Sequence, residues 1–76
     1  MNREYSVKKE NYGIPGYTIF LYNTHDTLCK VIMKTARVGG WCGENNEEKR
    51  LAVSAEKLKT VVDILIKYDF NYQRVE

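Results

Sequence analysis

Apolar and polar positions divide the chain into short runs with different periods. Residues 17–22, YTIFLY, are all β-branched, aromatic or leucine, the composition of a strand. NTHD, 23–26, has the side chains that favour a hairpin turn. In TLCKVIMKTA, 27–36, Cys29, Val31 and Met33 alternate with Lys30, Ile32 and Lys34. That period predicts a second strand, antiparallel to the first. RLAV, 50–53, alternates again, with Leu51 and Val53 on one side and Arg50 and Ala52 on the other. It reads as a short third strand. Between them RVGGWCGENNEEK, 37–49, has no period and reads as a long connection.

The period changes after residue 54. Leu58, Val61, Val62 and Leu65 recur at i, i+3, i+4 and i+7, with Asp69 extending the series at i+11. One stripe of a helix over 55–69 therefore faces a core, and Ile64 and Ile66 widen it. Ser54 is placed to accept from an early backbone N–H as an N-cap. Glu56 suits the positive end of the helix. At the start of the chain, Tyr5 and Val7 stand two apart among polar neighbours, so residues 1–12 are either an edge strand or a frayed end. NYGIPG, 11–16, is a turn. The expected fold is α+β, a small antiparallel three-stranded sheet with one C-terminal helix packed on one face, β-β-β-α. The sheet has four strands if residues 1–12 join it.

Alternation along strands sends side chains to both faces of a sheet. If Ile19, Leu21, Val31, Met33, Leu51 and Val53 meet the helix, then Thr18, Phe20, Tyr22, Lys30, Ile32, Lys34 and Arg50 point away. A single helix leaves that second face uncovered. Two aromatics and an isoleucine among three cations suit a contact surface for another protein, a second copy of the chain included. The same residues could stack bases beside cationic side chains. An ordinary solvated face, with lysine stems over the rings, would look the same in sequence.

Composition narrows these classes. A 76-residue chain is one domain. At this size only about 60% of the unfolded surface is buried on folding, so a deep substrate pocket would weaken a thin core. Net charge is +2, from 12 basic and 10 acidic residues, so any nucleic-acid site must be local. No apolar run approaches the roughly 20 residues that span a bilayer. MNREYSVKKENYG carries no apolar secretory segment. Two cysteines are too few for a disulfide scaffold. The expectation is a soluble cytoplasmic protein with reduced thiols, a Cys29–Cys42 bridge that would pin the loop to the sheet being the alternative.

No constellation supports catalysis. Cys42 stands in a glycine-rich stretch, but the one histidine, His25, belongs to the expected hairpin turn, and a cysteine nucleophile needs its base within hydrogen-bond reach. His25, Cys29 and Cys42, with Asp26 or Glu44, lack the paired spacing of structural zinc sites. Glu44, Glu47 and Glu48 lack the calcium-loop pattern, and GGWCG lacks the lysine of a phosphate-binding loop. No cofactor or metal is expected. Trp41 is the residue left open: it could fold back as a plug over the core or project as an anchor into a partner, and its glycine neighbours suit both.

A three-stranded sheet followed by one C-terminal helix is similar in outline to the arm-binding domains of tyrosine-type integrases and to plant AP2 domains. The resemblance spans Tyr17 to Phe70 and is one of topology. It implies a sheet face in the DNA major groove, with Tyr22, Lys30, Lys34 and Arg50 facing the groove. The chain's small size and single domain also resemble the short proteins that phages and other mobile elements carry to block host machinery. The leading expectation is a small non-enzymatic binding protein, a protein-interaction module or inhibitor. Its contact residues would be Phe20, Tyr22, Lys30, Ile32, Lys34, Trp41 and Arg50. Sheet-face DNA binding is the alternative.

Overall fold

The protein is described by a computed structural model covering residues 2–11, 15–42 and 49–73. Five strands and two helices follow in the order β1 (Glu4–Asn11), β2 (Pro15–Tyr22), α1 (Asp26–Ala36), β3 (Gly39–Cys42), β4 (Lys49–Ser54), α2 (Leu58–Lys67) and β5 (Asn71–Tyr72). They form one mixed sheet in the order β3-β4-β2-β1-β5. The α+β class matches the expectation; the sheet has more strands and a second helix.

Residues 27–36, expected as a strand, instead form most of α1. Ile32 shows why: it broke the strand alternation by standing among the lysines. On a helix the apolar residues Leu28, Cys29, Ile32, Met33 and Ala36 fall on one stripe at i, i+1, i+4, i+5 and i+8. Cys29, Ile32 and Ala36 are buried, whereas Val31, expected in the core, is 41% exposed. Asp26 in the first turn and Lys34 in the last complement the helix dipole. Arg37 ends the helix in the left-handed conformation, its N–H donating to the Met33 carbonyl. From the start of α2, Lys57 Nζ donates to the Arg37 carbonyl at 2.8 Å and the Ala36 carbonyl at 3.4 Å. A cation thus satisfies carbonyls left open at the end of α1.

The NTHD segment is accordingly not a hairpin turn. Asn23 turns the chain with φ 54°, Thr24 Oγ1 donates to the Tyr22 carbonyl at 2.9 Å, and His25 stands at the N-cap of α1. Ser54, expected to cap the second helix, closes β4 instead. A turn through residues 55–57 intervenes, and the N-cap position falls to Lys57 without a side-chain cap bond. The stripe of α2 is as expected through Leu65, with Val61 and Leu65 fully buried and Leu58, Val62 and Ile64 partly so, but Asp69, expected to extend it, lies past the helix end at Lys67. Ile66 lies outside it, 58% exposed.

Both ends of the chain contribute to the sheet. β1 is a full strand, paired antiparallel with β2 over its length and parallel with β5 at Glu4 and Tyr5. After α2 the chain turns through Asp69 at φ 63°, buries Phe70, and lays Asn71 and Tyr72 beside β1. The Asn71 and Gln73 amides donate to the Arg3 and Tyr5 carbonyls.

The core gathers on one sheet face. Directly paired residues share a face, so Tyr5 opposite Leu21 and Ile19 opposite Leu51 define the inner side. Tyr5, Ile19, Leu21, Leu51 and Val53 join Cys29, Ile32, Ala36, Val61, Leu65 and Phe70 in one cluster. Both helices therefore pack on this face. Lys49 also points inward and is fully buried; no buried side-chain nitrogen or oxygen among the described residues lacks a hydrogen-bond partner. Cys29 and Cys42 form a disulfide with Cα atoms 6.0 Å apart, so the expectation of reduced thiols does not hold in this structure.

Two expectations follow. Ile32→Ala should cost about 2–5 kcal/mol in denaturant unfolding, the penalty of a core cavity. Ile66→Ala should stay within about 0.5 kcal/mol of wild type. A wild-type-like Ile32→Ala would show that residues 27–36 do not pack as a helix. The second concerns Tyr5, whose pKa is raised by burial and then by the neighbouring Tyr72, with ring centroids 5.4 Å apart. A raised phenol pKa means the fold holds the proton more tightly than the unfolded chain does. The associated stability is fully present below the ordinary phenol value of about 10 and is lost as pH rises through the folded value. Unfolding measured from pH 8 upward should show a steeper loss for wild type than for Tyr5→Phe; equal slopes would remove Tyr5 as the cause.

Candidate functional site

The outer sheet face follows from the strand register. Phe20 pairs with Ser6 on one side and Arg50 on the other, and Arg50 pairs in turn with Trp41. Ser6, Phe20, Arg50 and Trp41 therefore form one row across β1, β2, β4 and β3. Strands are about 4.8 Å apart, so Phe20 and Trp41 flank Arg50 at a separation of roughly 10 Å. The adjacent row holds Lys8, Thr18, Ala52 and Gly39. Tyr22 pairs with Glu4, and its hydroxyl lies 3.0 Å from Ser6 Oγ, a diagonal contact that helps cover the serine.

Trp41 is 59% exposed. It is neither a plug nor part of an open connection, because it belongs to β3. Gly40 makes the strand fit: a Cβ there would collide with the Arg50 carbonyl oxygen and crowd the Leu51 Cα. Glycine is thus required for β3 to lie against β4. Alternation then turns Trp41 to the outer face and Cys42 to the inner one. Arg50 is exposed, whereas Phe20 and Tyr22 are half-buried by their neighbours on the face.

The structure brings together Phe20, Tyr22, Arg50 and Trp41 from the expected contact set and separates the rest. Lys30, Ile32 and Lys34 lie on α1, in the opposite layer. Ile32 is fully buried there, and the two lysines are exposed on the helix. Their assignment to the sheet face fell with the strand that carried it. Trp41 was singled out by type, but no periodic signal in GGWC placed it on the same face as Phe20.

The other candidates stand as follows. His25 is exposed at the start of α1, and Cys29 and Cys42 are bonded to each other. Among the described residues, no three His, Cys, Asp or Glu side chains are grouped to hold a metal. Glu44, Glu47 and Glu48 lie outside the described residues. No helix among the described residues is long and apolar enough to cross a membrane.

An exposed tryptophan on a sheet face should show red-shifted fluorescence and full access to acrylamide, with Gly40→Ala altering both by displacing β3. A blue-shifted, unquenched Trp41 would place the ring in the core and undo the face described above. Comparison with family models, with characterised proteins and with solved structures finds no match.

Proposed function

We propose that the chain is a small non-enzymatic binding protein of the cytoplasm, a protein-interaction module or inhibitor. It takes its partner on the outer sheet face through Phe20, Tyr22, Trp41 and Arg50. The observation that carries this reading is the row Phe20–Arg50–Trp41, which sits on the sheet face opposite both helices. Tryptophan, tyrosine and arginine are the residue types that dominate binding energy at protein interfaces. Phe20, Tyr22 and Arg50 stand on strands paired on both sides, and the Cys29–Cys42 bond ties the edge strand of Trp41, so little order is lost on association. The complement is a protein surface with an apolar recess for Trp41 and a carboxylate for Arg50.

A protein partner is favoured over DNA by the charge of the face. With Lys30 and Lys34 on α1, its basic residues among those described are Lys8 and Arg50, and Glu4, opposite Tyr22, shares the face. Nucleic-acid affinity grows with the number of phosphates neutralised, and two cations neutralise few.

The test is affinity purification from the source cell with wild type and with the Phe20→Ala, Tyr22→Ala, Trp41→Ala triple variant. The variant should keep the far-UV spectrum of wild type and lose the partner. For the purified pair, Trp41→Ala should weaken binding roughly 30-fold, a loss of about 2 kcal/mol. Arg50→Glu should weaken it further. Capture of the same partners by the triple variant sinks the reading. A shift of duplex DNA at low salt would give the face to nucleic acid, and concentration-dependent sedimentation abolished by Trp41→Ala would make the partner a second copy.

A further inference from the structure

We propose that the Cys29–Cys42 disulfide is a redox latch on this face: closed, it holds β3 and Trp41 in place; open, it releases β3 from the sheet edge. The consequence for binding rests on the function proposed above, whereas the release of the strand stands independently.

Beyond Val38, which packs on the core just before the strand with its N–H donating to the Met33 carbonyl, β3 is held by little else. It lies at one edge of the sheet and pairs only with β4, through four residues. Gly39, Gly40 and Trp41 are all exposed, so the strand's apolar anchorage is Cys42 alone. Cys42 is bonded to Cys29 of α1, and its Sγ lies 3.1 Å from Met33 Sδ on the same helix. The fully buried core draws its sheet residues from β1, β2 and β4, and none from β3. Opening the bond therefore frees the edge strand while leaving that core assembled. Gly39 and Gly40 add conformational freedom to the released segment.

The two sulfurs differ in access. Cys29 is wholly buried and Cys42 partly exposed. The thiolate of a dithiol reductant attacks Cys42 Sγ, the S–S bond breaks, and Cys29 leaves as a thiolate that takes up a proton. The reductant's second thiol then displaces Cys42 from the mixed disulfide. The protein gains two electrons and two protons, and the reductant becomes its own disulfide. In a cytoplasm kept reducing by such dithiols, a disulfide is a transient, responsive bond rather than a fixed staple.

Amide exchange read by mass spectrometry on the whole chain tests the latch, comparing air-oxidised protein, protein reduced with dithiothreitol, and Cys42→Ser. Reduction should speed exchange at residues 39–42, and at the β4 amides that pair with them, by about tenfold or more while leaving β1 and β2 protected. Cys42→Ser should reproduce this without reductant. Three results would overturn the latch: unchanged exchange at 39–42, loss of protection throughout the chain, or two free thiols in the air-oxidised protein. None of these readings involves a partner, so the latch can fail while the binding face stands. If β3 is released but the triple alanine variant still captures its partners, the face fails and the latch stands. Where both hold, the oxidised protein should bind the purified partner at least about tenfold more tightly than Cys42→Ser; equal affinities would overturn redox control of the face.

Discussion

The arrangement depends on where the two helical crossovers run. β2 and β3 are parallel with β4 between them, and β4 and β5 are parallel with β2 and β1 between them. Parallel strands cannot be joined by a tight turn; the chain must traverse the sheet, and a helix does this while satisfying its own backbone. Both traverses use the same side. Cys29, Ile32, Val61 and Leu65 therefore all meet Ile19, Leu21, Leu51 and Val53, and the described residues supply no layer for the other face. One core and one bare face are a single consequence of that choice of side.

The same constraint explains how much the sequence disclosed. YTIFLY and RLAV were legible as strands, and 58–67 as a helix, because each carries its own period over enough residues. Phe20, Tyr22 and Arg50 could then be assigned to the outer face by alternation alone. Residues 27–36 carry two overlapping periods. Alternation accommodated Cys29, Val31 and Met33 and left Ile32 stranded among lysines, whereas a helical stripe accommodates Ile32 and leaves only Val31 outside. The second account also suits the topology, since a strand there would leave β2 no crossover to β3. β3 and β5 were not legible, because four and two residues are too few to show a period. Their strand character comes from β4 and β1.

Trp41 gains meaning from what the fold forgoes. Burying a large apolar side chain is worth about 1.5–3 kcal/mol, while a native domain is stable by only about 5–15 kcal/mol. A chain this small leaves its single tryptophan mostly in solvent, on a strand whose approach to β4 requires glycine at position 40. The ring contributes little to the core from there. It does complete a cross-strand row with Arg50 and Phe20, an arrangement suited to contact with another surface.

The disulfide acts on that row through strand register. Side chains of a strand alternate between faces, and a slip of one residue exchanges them. A four-residue edge strand with two glycines specifies its register weakly by packing. Cys42 removes the ambiguity: its bond to Cys29 fixes residue 42 on the helix side. Residue 41 must then face outward, beside Arg50. The covalent tie is made inside the molecule, but what it determines is the direction of the one tryptophan on the outside.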